Sequence, residues 1–259
     1  MATDRRMNRL IGGLIHARIR RRWRRLADAA RRTDLTVLRQ QRNEARKLSA
    51  ELDRLIHVAD GRLALPKLGS SSFPRPHGTD WAWRPQLWCG PLPRPGISSA
   101  PSEAMLGDEL RVFHDCSASE LTLRQLRNKH AQDLAPFGLR LDVFRFGGAF
   151  LSLAIDLPPD AAKALSRDHI LRAETILEIE TPLAIYARLN IQNGPNTEQI
   201  IRKLPLDDHN VRIDFDMADT RINEKRIEKI WLDLIFETPD MNQVVLRDLT
   251  FARHRRAAL

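Results

Sequence analysis

From Leu110 to the end of the chain, short runs in which Leu, Ile, Val and Phe alternate with polar residues recur at strand-to-strand spacing, separated by turn residues. A side-chain period of two belongs to strands with one buried face, so this region must pair such strands and cover their apolar sides. The candidate strands are 110–114, 121–127, 139–146, 150–157, 171–180, 183–192, 197–204, 211–217, 230–237 and 243–251. About ten strands over about 150 residues suit an antiparallel, jelly-roll-like β-sandwich whose edges are managed by two packed sheets. Residues 161–166 are expected as a short helix and 222–228 as a helical turn or loop, too little helix for an α/β fold.

Alternation also sorts the faces. In the run from Leu183, the residues Leu183, Ile185, Ala187, Leu189 and Ile191 point one way, and Tyr186, Arg188, Asn190 and Gln192 the other. Val211, Ile213, Phe215 and Met217 likewise oppose Arg212, Asp214 and Asp216, and Ile230, Leu232, Leu234 and Phe236 oppose Trp231, Asp233 and Glu237. If these strands share a sheet, Tyr186, Arg188, Asn190, Gln192, Arg212, Asp214, Trp231 and Asp233 line one surface, able to hold a sugar by stacking and hydroxyl hydrogen bonds. The plainer alternative is a solvated sheet face with cross-strand Arg–Asp pairs, each worth about 0.2–1 kcal/mol.

The 259 residues carry a formal net charge of +9. All of it sits in residues 1–32, where eleven Arg face only Asp4 and Asp28, while residues 33–259 sum to zero. Met7, Leu10, Leu14, Trp23, Leu26 and Ala30 recur near helical spacing, with arginine filling the remaining positions. Thr33 is placed to cap a second helix, in which Leu38, Ala45, Leu52 and Ala59 repeat every seven residues with Leu48 and Leu55 between them. That is a heptad pattern, and Gly61 is suited to end it. The pair reads as a helical hairpin or short coiled coil over 1–62, able to form a homo-oligomer. Arg18, Arg20, Arg21, Arg22, Arg24 and Arg25 make an anion-binding candidate, since guanidinium groups grip phosphate and carboxylate in bidentate fashion. Their partner is an anionic membrane surface, nucleic acid, an acidic protein or an acidic polysaccharide, unless they form only a solvated face beside the coiled-coil seam. Only Trp23 interleaves with them, which argues against sequence-specific nucleic-acid reading.

Between the two regions, residues 63–106 are rich in proline, with Pro66, Pro74, Pro76, Pro85, Pro91, Pro93, Pro95 and Pro101 making regular helix or central strand unfavourable. Three of the five tryptophans, Trp81, Trp83 and Trp88, fall here, whereas disordered segments are poor in aromatics. An irregular arm laid over a core with indoles as anchors accounts for both features; the functional alternative is an aromatic platform for sugar rings. The β-sandwich is then expected over 107–259. Two cysteines, Cys89 and Cys116, provide neither a disulfide framework nor zinc spacing, so free thiols in a reducing compartment are expected. No run approaches the length of a membrane span. The apolar stretch 10–17 leads into arginines, the reverse of a secretory signal's order, although an Arg-rich leader also matches an organellar transit peptide. The expectation is a cytoplasmic protein, peripheral to the inner membrane face if its basic helix meets lipid.

No phosphate-binding glycine loop, HExxH or GxSxG motif is present, and no cofactor or metal site is expected. His114, Asp115 and Cys116 are adjacent, which on a strand sends their side chains to opposite faces. Asp207 and Asp208 in PLDDHN read as a polar turn, with calcium ligation as the alternative.

The stretches HVADGRLALP (57–66), GTDWAWRPQLW (78–88), APFGLRLDVFRF (135–146), GPNTEQI (194–200) and NEKRIEKIWLDLIFE (223–237) resemble a domain-of-unknown-function family of alphaproteobacterial proteins. That resemblance covers most of the chain and implies no activity. The body also resembles carbohydrate-binding-module jelly rolls, above all in WLDLIFE followed by VVLRDLTFAR, a fold-level likeness that implies no site residues. The expected fold is therefore α+β segregated, a basic helical hairpin followed by an all-β sandwich. Three functions follow in order: a non-catalytic glycan-binding module tethered by the basic helix; a scaffold or phage-like-particle decoration subunit; and a polysaccharide hydrolase or lyase acting through Asp214, Asp216 or Asp233.

Overall fold

A computed structural model of the chain describes residues 17–64, 73–117, 120–130 and 132–256. The chain forms two compact units, residues 1–56 and 57–259. Helix α1 covers 17–29 and tightens into a 3-10 turn at Ala30–Arg32; helix α2 is Leu35–Ala64. Met7, Leu10 and Leu14 of the expected apolar stripe lie outside the described residues.

The cap of α2 is Asp34, not Thr33. Asp34 Oδ1 accepts the backbone N–H groups of Thr36 and Val37 at 2.8 and 3.4 Å, satisfying two donors that the first turn leaves unpaired. Those hydrogen bonds also hold its carboxyl below the usual carboxylate range. The Thr33 hydroxyl donates back to the Ala29 carbonyl at 3.0 Å and closes α1 instead. Gly61 does not stop α2, which continues to Ala64; a single glycine inside a helix costs only about 1 kcal/mol relative to alanine. On the heptad stripe Leu38 and Ala45 are half-buried, whereas Leu48, Leu52 and Leu55 are exposed.

The second unit is built from β1 (Thr79–Trp83), a helical turn α3 (Gln86–Cys89), β2 (Gly96–Ser98), β3 (Met105–Leu106), β4 (Leu110–His114), β5 (Glu120–Arg127), β6 (Phe137–Arg145), β7 (Leu151–Asp156), β8 (His169–Ile179), β9 (Ile185–Asn193), β10 (Asn196–Lys203), β11 (Asn210–Asp216), β12 (Ile227–Phe236) and β13 (Asn242–Arg255). They form two antiparallel sheets. The first runs β11-β8-β13-β6-β5-β2, with β1 also paired to β13, and the second runs β10-β9-β12-β7-β4-β3. The chain crosses repeatedly between sheets, so strands adjacent in sequence are often on opposite layers. The β9–β10 hairpin turns at Gly194, whose φ of +61° suits a residue without a Cβ.

Period-two burial makes the core. Ile185, Ala187, Leu189 and Ile191 on β9 are fully buried, and they meet the inner residues Leu123, Leu141, Leu246 and Phe251 of the first sheet in one apolar cluster. Each Leu, Ile or Phe side chain among them contributes about 1.5–3 kcal/mol on burial. Residues expected as a helix at 161–166 supply only a 3-10 turn at Pro159–Ala161, and β12 begins within the expected 222–228 turn.

The proline-rich segment is less irregular than expected, supplying β1, β2 and β3. The latter two are edge strands of three and two residues, the length at which proline-flanked strands are tolerated. Its indoles face inward. Trp88 is fully buried and donates its Nε1–H to the Leu246 carbonyl at 3.1 Å. Trp83 stacks on Phe251 with centroids 5.7 Å apart, and Trp81 packs on the same core. Beside them Arg84 holds both oxygens of Asp248, at 2.9 and 2.8 Å.

Candidate functional site

The outer surface of the second sheet collects aromatic, cationic, amide and carboxylate side chains. Register places them in rows across the strands. One row is Lys203, Tyr186, Ile235, Ser152 and Phe113; the next is Ile201, Arg188, Asp233, Ala154 and Arg111; a third carries Gln199, Asn190, Trp231 and Asp156. Gln192 and Lys229 stand opposite each other beyond it. Tyr186, Trp231 and Phe113 are all half-buried.

A hydrogen-bond network fixes the centre of this face. Arg188 Nε and Nη2 both donate to Asp233 Oδ2, at 3.0 and 2.8 Å. Asn190 Nδ2 donates to the same oxygen at 2.9 Å, and Asn190 Oδ1 accepts from Gln199 Nε2 at 3.0 Å. Charge-assisted bonds among partly buried groups make this arrangement stiff. Lys229 bonds Asp156 at 2.9 Å and lies 5.5 Å from the centre of the Trp231 ring, which orients the indole by a cation–π contact.

Six of the eight expected sheet-face residues therefore share a surface, and two do not. Arg212 and Asp214 lie on β11, in the other sheet, because the chain changes layers between β10 and β11. There Arg172 pairs with both Asp214 oxygens at 2.6 and 2.8 Å, and Arg212 bonds Glu174 at 3.0 Å, the cross-strand ladder of an ordinary solvated face. Within the six, Asn190 has no exposed surface and Asp233 is 4% exposed, so both position their neighbours; Tyr186, Arg188, Gln192 and Trp231 are the accessible members. Arg111, Phe113, Gln199 and Lys203 join the face without having been singled out. The alternation at 110–114 and 197–204 was the signal that pointed them outward.

Of the expected aromatic platform, Trp88 is corrected outright, since a fully buried indole offers no ring to a ligand. Trp81 and Trp83 also turn toward the core. The three carboxylates of the enzyme reading do not converge. Asp214 and Asp216 belong to the first sheet and Asp233 to the second; Asp216 accepts the Ala218 N–H at 2.9 Å and faces Arg256 at 3.3 Å. His114 ends β4, and Asp115 and Cys116 lie in the connection that follows it. The His114 ring bonds the Ala100 carbonyl and accepts the Cys116 N–H, while Asp115 accepts the N–H groups of Ala149 and Phe150. Burial pushes the Cys89 thiol up to about 11.

On α1 the six candidate arginines are exposed, and none pairs with a carboxylate among the described residues. At 3.6 residues per turn, Ile19, Trp23, Leu26 and Ala30 fall on one stripe with Arg20 and Arg22 on its flanks. No helix among the described residues is long and apolar enough to cross a membrane.

These features define a two-sheet antiparallel β-sandwich with a polar, aromatic outer face, preceded by a basic helical lead. The chain belongs to DUF6478, a family of unknown function, whose match spans residues 1–259. No curated protein matches it in sequence. Among solved structures it is similar to the enzymatically active domain of bacteriophage CBA120 tailspike protein 4, at 6% identity and a TM-score of 0.41, covering 60% of this chain and 21% of that one. It is also similar to the C-terminal family 22 carbohydrate-binding module of Clostridium thermocellum Xyn10B, at 10% identity and 0.38, covering 72% and 99%. A third is TmCBM61, solved with beta-1,4-galactotriose, at 14% identity and 0.33, covering 57% and 88%. At such identities and scores the likeness carries no residue or ligand across.

Proposed function

We propose that the sandwich is a glycan-binding module whose site is the outer face of the second sheet, and that the arginines of α1 hold the chain at an acidic surface. The observation that carries the reading is the set of three half-buried aromatic rings around a fixed polar centre. Tyr186 and Phe113 share a row three strands apart, a separation of about 14 Å at the usual spacing between strands. Trp231 lies four residues along the neighbouring strand from that row, again about 14 Å from Tyr186. Apolar sugar faces stack on such rings, while Arg188, Gln192, Gln199 and Lys203 offer donors to hydroxyl oxygens between them. With Arg188 already oriented by Asp233, little side-chain freedom is lost on binding.

The test is a panel of oligosaccharides presented to the full-length chain and to Tyr186→Ala, Trp231→Ala and Arg188→Ala. Binding to a defined subset is expected, weakened about tenfold by each aromatic truncation, as for central contacts in recognition surfaces. Affinity that survives all three substitutions removes this face from consideration.

A second reading, a scaffold subunit, is favoured by the exposed stripe Leu48, Leu52 and Leu55 on α2. Its heptad spacing suits a second copy of the same helix. Sedimentation of the full-length chain as a monomer at all concentrations removes it.

A further inference from the structure

Resting on the glycan reading, we infer that the face selects an anionic oligosaccharide, one whose sugars carry carboxylates, over a neutral one. The argument is which charges on the face are paired and which are not. Four cations stand on the outer surface of the second sheet: Arg111, Arg188, Lys203 and Lys229. Two are neutralised in place, Arg188 by Asp233 and Lys229 by Asp156. Two further acids lie on the same surface: Glu228, which accepts from Gln192 at 3.3 Å at the end of the face away from Tyr186, and exposed Glu237, which pairs with Ala184 one step beyond the Tyr186 row.

Among the described residues Arg111 and Lys203 have no such partner. Among the described residues Arg111 reaches the Met105 sulfur, at 3.7 Å, a weak acceptor for a guanidinium. Lys203 is exposed and has no carboxylate partner among the described residues. Lys203 on β10 shares the row of Tyr186 and Phe113, and Arg111 on β4, toward the other side of the sheet, is in the next row. Four strand spacings separate those strands, about 19 Å, the reach of an oligosaccharide rather than of one ring. A chain of uronate sugars laid across the strands brings a carboxylate to each end while its ring faces meet the aromatics. The guanidinium of Arg111 suits a carboxylate by its two parallel donors, and Lys203 offers a point charge. A neutral glycan leaves both cations uncompensated and partly stripped of water.

The probes are oligogalacturonate and the matched neutral galacto-oligosaccharide, titrated into the full-length chain at physiological salt. The arginine block of α1 is common to every variant, so the decisive comparison is between wild type and the double substitution Arg111→Gln, Lys203→Gln. The expected result is that oligogalacturonate binds on the order of tenfold more tightly than its neutral counterpart, that added salt narrows the gap, and that the double variant closes it with melting temperature unchanged. Equal or tighter binding of the neutral sugar overturns the anionic preference and leaves the glycan reading standing. A preference that survives the double substitution assigns it to α1 and also overturns the inference. Silence toward both probes and toward the wider panel removes the glycan reading together with it.

Discussion

Arg84 and Asp248 stand 164 positions apart in sequence, yet form a two-point ion pair in which the arginine side chain has no exposed surface. Burying either charge alone is costly, and the mutual geometry makes the pair tolerable. Replacing Arg84 by methionine leaves the carboxylate of Asp248 without its main partner. The expected loss is about 3–5 kcal/mol in chemical denaturation, and a loss under about 1 kcal/mol contradicts this account. The pair was not legible in the sequence, because Arg and Asp are plentiful and nothing local marks these two. The same is true of Asn190. Its type and outward parity were read correctly from alternation, but its complete burial depends on Gln199 and Asp233 arriving from neighbouring strands.

Strand β1 shows how an element with poor local signals is held. Prolines surround it and its length is five residues, so alternation had little to work on; three core-facing or core-packed indoles and one polar cluster secure the segment. Asp80 bonds Arg253 Nε at 2.8 Å and the His169 ring at 3.1 Å, while Arg253 also donates to the carbonyls of Ala161 and Lys163. Burial opposes ionisation of Asp80, but Arg253 and His169 outweigh it and hold the carboxyl below its ordinary value. A depressed carboxyl stabilises the fold fully above its unfolded value of about 3.9, and the contribution is lost as pH falls through the folded value below that. Acidification past about pH 4 should therefore loosen β1, read as a change in the fluorescence of adjacent Trp81 and Trp83. Asp80→Asn should lack that acid-dependent step, and an unchanged step places the titrating group elsewhere. The long strands gave clear signals because burial on one face is written into every second residue. The end of α2 did not, since Gly61 permits a stop without enforcing one.

At the scale of the molecule, alternation predicts which residues of a strand point outward but not which strands lie side by side. Alternation turns Tyr186, Arg188, Trp231 and Asp233 outward on β9 and β12, which lie side by side, while Arg212 and Asp214, outward by the same rule, sit on β11 in the opposite layer. Strand order follows from how the whole chain closes its core, with connections crossing between sheets, and no window of sequence encodes it. The same crossings gather Arg111 and Phe113 from β4 with Tyr186, Arg188 and Trp231 from β9 and β12, forming the face on which the functional proposal rests. Backbone amide chemical-shift mapping of the full-length chain during titration with an oligosaccharide series tests that proposal most directly. The account predicts saturable shifts concentrated on Phe113, Tyr186, Arg188, Gln192 and Trp231; shifts confined to the outer face of the first sheet, or none at any concentration, contradict it.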